Sequence, residues 1–246
     1  MILAAAAILG TTGFLQATQI YDPIESSAKK SYVFKTYLKE DNITIQANND
    51  TTITLTGTVV EWSHRSLAEE TVAGLLPGVR HIHNNLTVKG GQPPENSDLW
   101  IGMKVKTVLM FHRNVSGLGT DIDVKNGEVS LRGKASSEAQ KELTTEYAKD
   151  IDGVKSVKND MVVEKTGKTA VEKVGEYVDD ASITAQIKVA LLFHRSTSVI
   201  KTKVDTKDGN VTVSGGVKNG AEKDLVSKLV NDIKGVKTLK NEMTTK

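Results

Sequence analysis

The sequence contains no cysteine, few aromatic residues and no excess of charge of one sign. Zero cysteines among 246 residues exclude disulfides, thiolate metal ligands, a cysteine nucleophile and a lipid-modified N-terminal cysteine. Aromatic residues make up 4%, which argues against the stacking platforms that bind nucleic acid or sugars. The 32 basic and 30 acidic side chains leave a net charge of +2, too small for a protein whose main partner is a phosphate backbone. We therefore expect no nucleic-acid partner.

The motifs of common catalytic sites are also absent. The sequence has no nucleophile elbow, no phosphate-binding glycine loop and no His-Glu-x-x-His pattern. His81 and His83 could place two imidazoles on one face of a strand, but the repeats described below align them with serine, threonine and lysine, which are typical of a solvated face. We expect no catalytic residue, metal site, cofactor or small-molecule substrate, and an enzyme is the least favoured class.

The only long apolar run lies at the start of the chain. Ile2–Gly10 is apolar, and no charged residue precedes Asp22. The run is shorter than the about 20 residues that a membrane-spanning helix needs. It is typical of the core of a secretory signal with small residues for cleavage near Gly13 or Ala17, although no Lys or Arg precedes it. We predict a signal segment at residues 1–17 and export of the mature protein, with a buried or fraying helix as the alternative.

Internal repetition is the strongest positive feature. Phe111-His112-Arg113 recurs 82 residues later as Phe193-His194-Arg195, and Lys125-Asn126-Gly127 recurs at the same offset as Lys207-Asp208-Gly209. A third, divergent copy lies upstream and lacks the Phe-His-Arg triplet. Such self-similarity indicates tandem copies of one structural unit. The predicted units are residues 28–90, 97–165 and 179–246.

Each copy has the pattern helix, strand, strand, helix, strand. Ile101, Val105 and Leu109 form one face of a helix, and Asn126-Gly127 between alternating segments predicts a type I′ hairpin. We predict an α+β fold in which each αββαβ unit packs two helices on one face of a three-stranded mixed sheet, leaving the other face polar or partly covered. A unit of about 65 residues buries only about 60% of its unfolded surface, so contacts between units should stabilise it.

Glycines and capping residues mark the element ends. Capping boxes are predicted at Ser66 with Glu69, Ser137 with Gln140 and Asn219 with Glu222. Glycines should follow wherever the chain turns with positive φ. The glycines with predicted structural roles are Gly57, Gly78, Gly127, Gly133, Gly153, Gly209, Gly215 and Gly235.

The two connections between units differ. Residues 90–96 contain two glycines and two prolines and form a linker. Residues 166–178 carry Val171, Val174 and Val178 at helical spacing. A helical connector at 166–178 should hold units two and three together more rigidly than units one and two.

The repeated Phe-His-Arg triplet has two interpretations. A cation at the end of the first helix complements the helix dipole and reaches its last carbonyl groups. Alternatively, the arginine beside an apolar ring contacts a lipid phosphate or a carboxylate. The segment 179–246 has twelve basic and eight acidic residues, which makes unit three the candidate membrane-facing unit. The candidate lipid-binding residues are Arg113, Arg195, Phe111, Phe193, Lys201 and Lys203.

The repeat resembles the BON domain. The resemblance rests on a strand ending Val-x-Leu/Val-x-Gly, a helix, and then Gly-Val-x-x-Val-x-Asn, and on the segment 174–184 that leads into unit three. It covers nearly the whole chain after residue 28, and the third unit departs from the two-unit arrangement of periplasmic members. The resemblance implies an envelope-stress protein, osmotic stress included, in the bacterial periplasm that binds phospholipid or partner proteins and has no known catalysis.

Two function hypotheses follow. The first is a non-enzymatic exported envelope protein whose tandem units bind anionic phospholipid surfaces or unfolded client proteins through several weak contacts. The alternative is a structural or regulatory module that docks on another envelope protein or senses an ion. A basic patch bordered by apolar residues would favour lipid, and exposed apolar area on the outer sheet face would favour clients.

Overall fold

The computed structural model describes residues 24–49, 52–76, 79, 81–164, 177–197 and 201–245. The predicted signal segment 1–17, Gly78 and most of the predicted connector 166–178 lie outside these residues. The last two connector residues, Tyr177 and Val178, are described and are not helical.

The first unit begins with two short helices rather than one. Helix α1 covers residues 24–30, and Ser31 then accepts a hydrogen bond from the Phe34 amide and caps the next helix. The elements of this unit are α1 (24–30), α2 (Tyr32–Thr36), β1 (Asn42–Asn49), β2 (Thr52–Val59), α3 (Trp62–Leu75) and β3 (His81–Val88).

The second and third units share one plan. Unit two contains α4 (Asp98–Phe111), β4 (Thr120–Lys125), β5 (Glu128–Ala135), α5 (Glu138–Lys149), β6 (Ser156–Asn159) and β7 (Val162–Val163). Unit three contains α6 (Asp180–Phe193), β8 (Thr202–Lys207), β9 (Asn210–Val217), α7 (Gly220–Asn231), β10 (Thr238–Asn241) and β11 (Thr244–Thr245).

Each unit has its own mixed sheet, which confirms the predicted fold. The second strand is central and pairs antiparallel with the first strand of its hairpin and parallel with the strand after the second helix. Both central turn residues have positive φ, 54° at Asn126 and 80° at Gly127, as a type I′ turn requires. Val129 and Leu131 of β5 are buried, whereas the intervening side chains face outward.

An asparagine interrupts the last strand of units two and three. Asn159 is the last residue of β6, just before the break that separates it from β7. Its side-chain amide donates to the Lys141 carbonyl (2.9 Å) and the Thr145 hydroxyl (2.8 Å), and its oxygen accepts from the Met161 amide (3.0 Å). Asn241 makes the same three contacts in unit three. The asparagine of the repeated Gly-Val-x-x-Val-x-Asn pattern therefore ties the last strand to the second helix.

Two of the three predicted helix caps are confirmed. Ser137 and Asn219 accept hydrogen bonds from the amides of Gln140 and Glu222. The cap predicted at Ser66 is wrong, because α3 begins one turn earlier, at Trp62, with Glu61 as an N-cap whose side chain makes no capping bond. Ser66 therefore lies inside the helix.

Each central strand has one position that only glycine can occupy, because the backbone of the neighbouring segment approaches it closely. Gly57, Gly133 and Gly215 have φ values of 117°, 124° and 144°. A Cβ at Gly133 would lie 2.3 Å from the carbonyl oxygen of Gly119, and its two counterparts face the same obstruction. The predicted glycines Gly127, Gly153, Gly209 and Gly235 also have positive φ.

Helix α6 lies at the centre of the molecule. Eleven of its fourteen residues are buried, against eight of fourteen in α4. Unit one contacts its start directly, because the Tyr32 amide donates to Asp179 (2.7 Å) and the Val33 amide donates to Ser182 (3.0 Å). Among the helices that the structure describes, none has the length and apolar character needed to cross a bilayer.

Candidate functional site

Units two and three meet through their repeated triplets. His112 pairs with Ile233, and His194 pairs with Ile151, as isolated antiparallel bridges. The Arg113 amide donates to the Asp232 carbonyl at 2.9 Å, and the equivalent bond from Arg195 to Asp150 measures 2.8 Å. Each triplet thus joins the end of the second helix of the other unit, in a pseudo-twofold arrangement. We call residues 111–113, 150–152, 193–195 and 232–234 the clasp.

The arginine side chains reinforce the clasp. Arg113 donates to the carbonyl oxygens of Ile233 (2.7 Å) and Val236 (2.6 Å). Arg195 donates to the carbonyl oxygens of Ile151 and Val154 in the same way. A cation at the carboxyl end of a helix stabilises its unpaired carbonyl groups. The arginines do not cap their own first helices as predicted. Arg113 bonds the turn that follows α7, whereas Arg195 bonds the turn that follows α5 and also the carbonyl oxygen of Lys149, the last residue of α5, at 3.3 Å.

The phenylalanines of the triplets are core residues. Phe111 is 0% exposed and Phe193 is 3% exposed. The Phe111 ring lies 5.3 Å from Tyr37, and the Phe193 ring lies 5.7 Å from Trp62, so unit one also packs on both. This placement corrects the predicted lipid contact of the two phenylalanines, because neither ring reaches the surface.

The histidines of the clasp are buried beside charged groups. His112 stacks on Tyr147 with ring centroids 3.8 Å apart, and burial lowers its pKa to about 3. Burial also lowers the pKa of His194, whose Nε2 lies 3.4 Å from Asp150 Oδ2. Tyr147 donates a hydrogen bond to Asp232, and burial raises the pKa of that carboxyl. Both imidazoles are therefore neutral at pH 7.

A basic cleft opens beside the clasp. Its volume is about 330 Å³, and we call it the junction cleft. Arg113, Lys134 and Lys234 line it, and Glu164, 3.0 Å from Lys134 Nζ, is the one acid among the described residues that line it. Leu118, which is 72% exposed, forms its apolar border. The arrangement can hold an anionic group next to an apolar chain.

The remaining candidate residues lie elsewhere. Lys201 and Lys203 are exposed at the start of the unit-three hairpin, and Lys203 pairs with Asp205 at 3.0 Å. Neither lysine lines the junction cleft. His81 and His83 are exposed on the outer face of β3. Within the described ranges, no three His, Asp or Glu side chains converge as they would to hold a metal ion.

The sequence analysis missed the residues that complete the clasp and the cleft. Asp150-Ile151 and Asp232-Ile233 recur at the offset of 82 residues, so a signal was present. Lys134 has no counterpart at that offset, where Gly216 stands, and only the tertiary structure brings it beside Lys234.

Comparison with solved structures yields distant matches. A structural protein of the type III secretion system of Chlamydia trachomatis, CdsD, is 16% identical over 93% of this chain and 92% of that chain, with a TM-score of 0.23. The periplasmic domain of the type III secretion inner-membrane protein PrgH from S. typhimurium is 11% identical over 83% of this chain and 100% of that one, with a TM-score of 0.20. Scores this low carry no structural argument.

Comparison at the level of sequence is more informative. Osmotically-inducible protein Y of Escherichia coli K12 is 31% identical over 206 residues, which are 78% of this chain and the full length of that protein. The family model of the BON domain matches three segments, residues 22–90, 97–165 and 179–246, and these correspond to the three folded units. The chain therefore belongs to the BON-domain family.

Proposed function

We propose that this protein is a non-enzymatic envelope protein of the periplasm that binds anionic phospholipid surfaces, and that the junction cleft is its headgroup contact. Its relative is named as osmotically inducible, which supports a role in osmotic stress. The predicted signal segment supports export. The proposal rests mainly on the junction cleft, because this cleft is a basic patch bordered by exposed apolar surface.

The chemistry of the cleft suits a phospholipid. Three cations face one carboxylate, and Leu118 stands next to them, 72% exposed. Val162, 60% exposed, lies beside Lys134 as its partner in the sheet. A well-placed cation contributes about 1 kcal/mol at an anionic membrane surface. Binding through this cleft alone is therefore weak, and the exposed Lys201 and Lys203 would add a second contact that raises the overall affinity.

Vesicle co-sedimentation tests this proposal. We expect binding to phosphatidylglycerol vesicles that falls with salt and is absent for phosphatidylcholine. Lys134→Gln and Lys234→Gln should each weaken binding about fivefold, and Leu118→Ser by a similar factor. Lys158→Gln is the matched control, because Lys158 is equally exposed in the same unit but lies outside the cleft. Binding that does not depend on the charge of the lipid, or that is equally strong in all variants, would refute the proposal.

Client capture by the outer sheet faces is less favoured. In units two and three, the exposed positions of the last strands carry ion pairs, Lys158 with Asp160 (2.9 Å) and Lys240 with Glu242 (2.6 Å). Unfolded clients bind through contiguous apolar surface, and among the described strand residues of these two units Val162 is the one large apolar side chain that is exposed. Docking on another envelope protein is supported by a separate groove.

A further inference from the structure

The pseudo-twofold relation between units two and three gives each surface of one unit a counterpart on the other. Residues of α4 correspond to residues of α6 at the offset of 82. On α6, the surface that includes Ala181 and Lys188 is covered by α3 of unit one. A Cβ on Gly74 of α3 would lie 3.1 Å from the Ala181 Cα, and Glu70 pairs with Lys188 at 2.7 Å. The molecule thus contains one example of a helix lying on this surface.

The counterpart surface on α4 carries no helix within the described part of the chain. Leu99 replaces Ala181 and is 65% exposed, and Met103 replaces Ala185. With Gly102 they border a groove of about 480 Å³, whose other wall is Ile122 and Val124 of β4. We call it the α4 groove. Its apolar lining, flexible methionine included, is suited to the apolar face of a helix.

The charge around the α4 groove has the opposite sign from that of the junction cleft. Four carboxylates border it, contributed by two different units. Within the described part of the chain, Lys106 is the one cation that lines the groove, and its Nζ donates to the carbonyl oxygens of Gly117 (3.1 Å) and Thr120 (3.0 Å). The acidic residues are Glu61, Asp98, Asp121 and Asp123.

One of these carboxylates has an unused acceptor. Glu61 Oε2 is buried and accepts no hydrogen bond from the residues that the structure describes. A buried carboxylate oxygen without a donor is destabilising, and a ligand that supplies a charged donor relieves that cost. Glu61 precedes α3 of unit one, so its carboxylate reaches the groove because unit one also packs on unit two, where the Trp62 and Trp100 rings lie 4.2 Å apart.

We propose that the α4 groove binds a cationic amphipathic helix of another protein, which lies on α4 as α3 lies on α6. The packing of α3 on α6 indicates that the occupant is a helix. The apolar lining of the groove requires an apolar face on that helix, and the acidic rim requires lysine or arginine on its flanks. The rim repels anionic lipid, so this surface is separate from the proposed membrane contact and does not depend on it.

A model peptide provides a defined probe. Both tryptophans adjoin the groove, since Trp62 follows Glu61 and Trp100 follows Leu99, and their rings lie 4.2 Å apart. Titration of the full chain with an amphipathic helix of about 18 residues made of leucine and lysine should give a saturable change in tryptophan fluorescence. The same peptide with glutamate in place of lysine should bind at least about tenfold more weakly.

Variants locate the binding. Asp121→Asn combined with Asp123→Asn should weaken the leucine–lysine peptide about fivefold, and Leu99→Ser about tenfold. Asp205→Asn, the counterpart of Asp123 in unit three, and Leu118→Ser in the junction cleft should leave its affinity unchanged. Equal binding of the two peptides, or no effect of the groove variants, would overturn the proposal. A Leu99-dependent fluorescence response to phosphatidylglycerol vesicles alone would also overturn it and assign the groove to the membrane.

Discussion

Arg113 Nη2 lies 2.7 Å from the carbonyl oxygen of Ile233, so a side chain of unit two holds the turn that follows the second helix of unit three. Arg195 does the same for Ile151 in the reverse direction. The interface is isologous, as in a symmetric dimer whose two subunits are joined in one chain. Two small units that are marginal alone thereby stabilise each other.

Replacing Arg113 by glutamine should lower the free energy of unfolding. The substitution removes two charge-assisted hydrogen bonds to carbonyl groups of the turn that follows α7, and we expect a loss of about 1–2 kcal/mol, since the side chain is partly exposed. Urea unfolding of the full chain measures it. Arg132→Gln, on the exposed face of β5, is the control and should change stability by less than about 0.5 kcal/mol. Equal stability of Arg113→Gln and the wild type would contradict the proposed clasp.

The clasp should weaken in acid. The pKa of His112 is about 3 in the folded protein and about 6.5 when the ring is exposed, so the folded state binds fewer protons. Its contribution is therefore complete above pH 6.5 and is lost as the pH falls from 6.5 towards 3. His194 acts in the same direction, with Asp150, Arg195 and Lys228 around it. Between these two pKa values His112 contributes at most about 1.4 kcal/mol per pH unit.

Groups that face His112 modify this response. His194 and Lys234 disfavour its protonation, and a hydrogen bond with the Asp232 backbone favours it. The Asp232 carboxyl, whose pKa burial raises, takes up a proton more readily in the folded state and offsets part of the loss at the acid end. Urea unfolding at pH 7, 6 and 5 measures the slope of the free energy of unfolding against pH. His112→Phe keeps an aromatic ring against Tyr147 and should reduce the slope, while His83→Asn on the exposed face of β3 should not. If His112→Phe leaves this slope unchanged, the pH dependence of stability does not come from His112.

Substitution of Asn159 should lower the free energy of unfolding more than substitution of most other polar residues. Asn159→Ala leaves the Met161 amide without its acceptor and removes the two bonds that the Asn159 amide donates, although the Lys141 carbonyl still accepts from the Thr145 hydroxyl (3.2 Å). We expect a loss of about 2–3 kcal/mol in thermal or urea unfolding. Asn159→Asp retains the acceptor for Met161 but loses the donors, so it should destabilise as well. Asn210→Ala serves as the control, because that amide bonds only within its exposed hairpin turn and strand end.

A matched pair of glycine substitutions tests the close approach between strands. Gly133→Ala would place a Cβ 2.3 Å from the Gly119 carbonyl oxygen at a φ of 124°, and we expect a loss of about 2–3 kcal/mol in the free energy of unfolding. Gly220→Ala adds a methyl group to open space at the start of α7 and should be neutral or slightly stabilising. Similar effects of the two substitutions would show that the strands can separate to accept a side chain.

Several local features were predictable because their cause is local. The hairpin at Asn126-Gly127 follows from two adjacent residues that tolerate positive φ, and the caps at Ser137 and Asn219 follow from side chains that reach an amide three residues on. The Ser66 cap failed because tertiary packing of Trp62 against Trp100 extends α3 backwards past the local signal. Propensity is a weak prior where such packing competes.

The amino-acid sequence alone determined that one αββαβ pattern occurs three times, because periodicity, turn glycines and capping residues act over a few residues and repeat with the chain. Tertiary structure alone decided what the repeated triplet does. Phe111 and Arg113 form an interface because their partners, 120 residues away, are brought to them by docking of whole units. The junction cleft and the α4 groove depend on the same docking, since each is bordered by residues from two units that no local pattern connects.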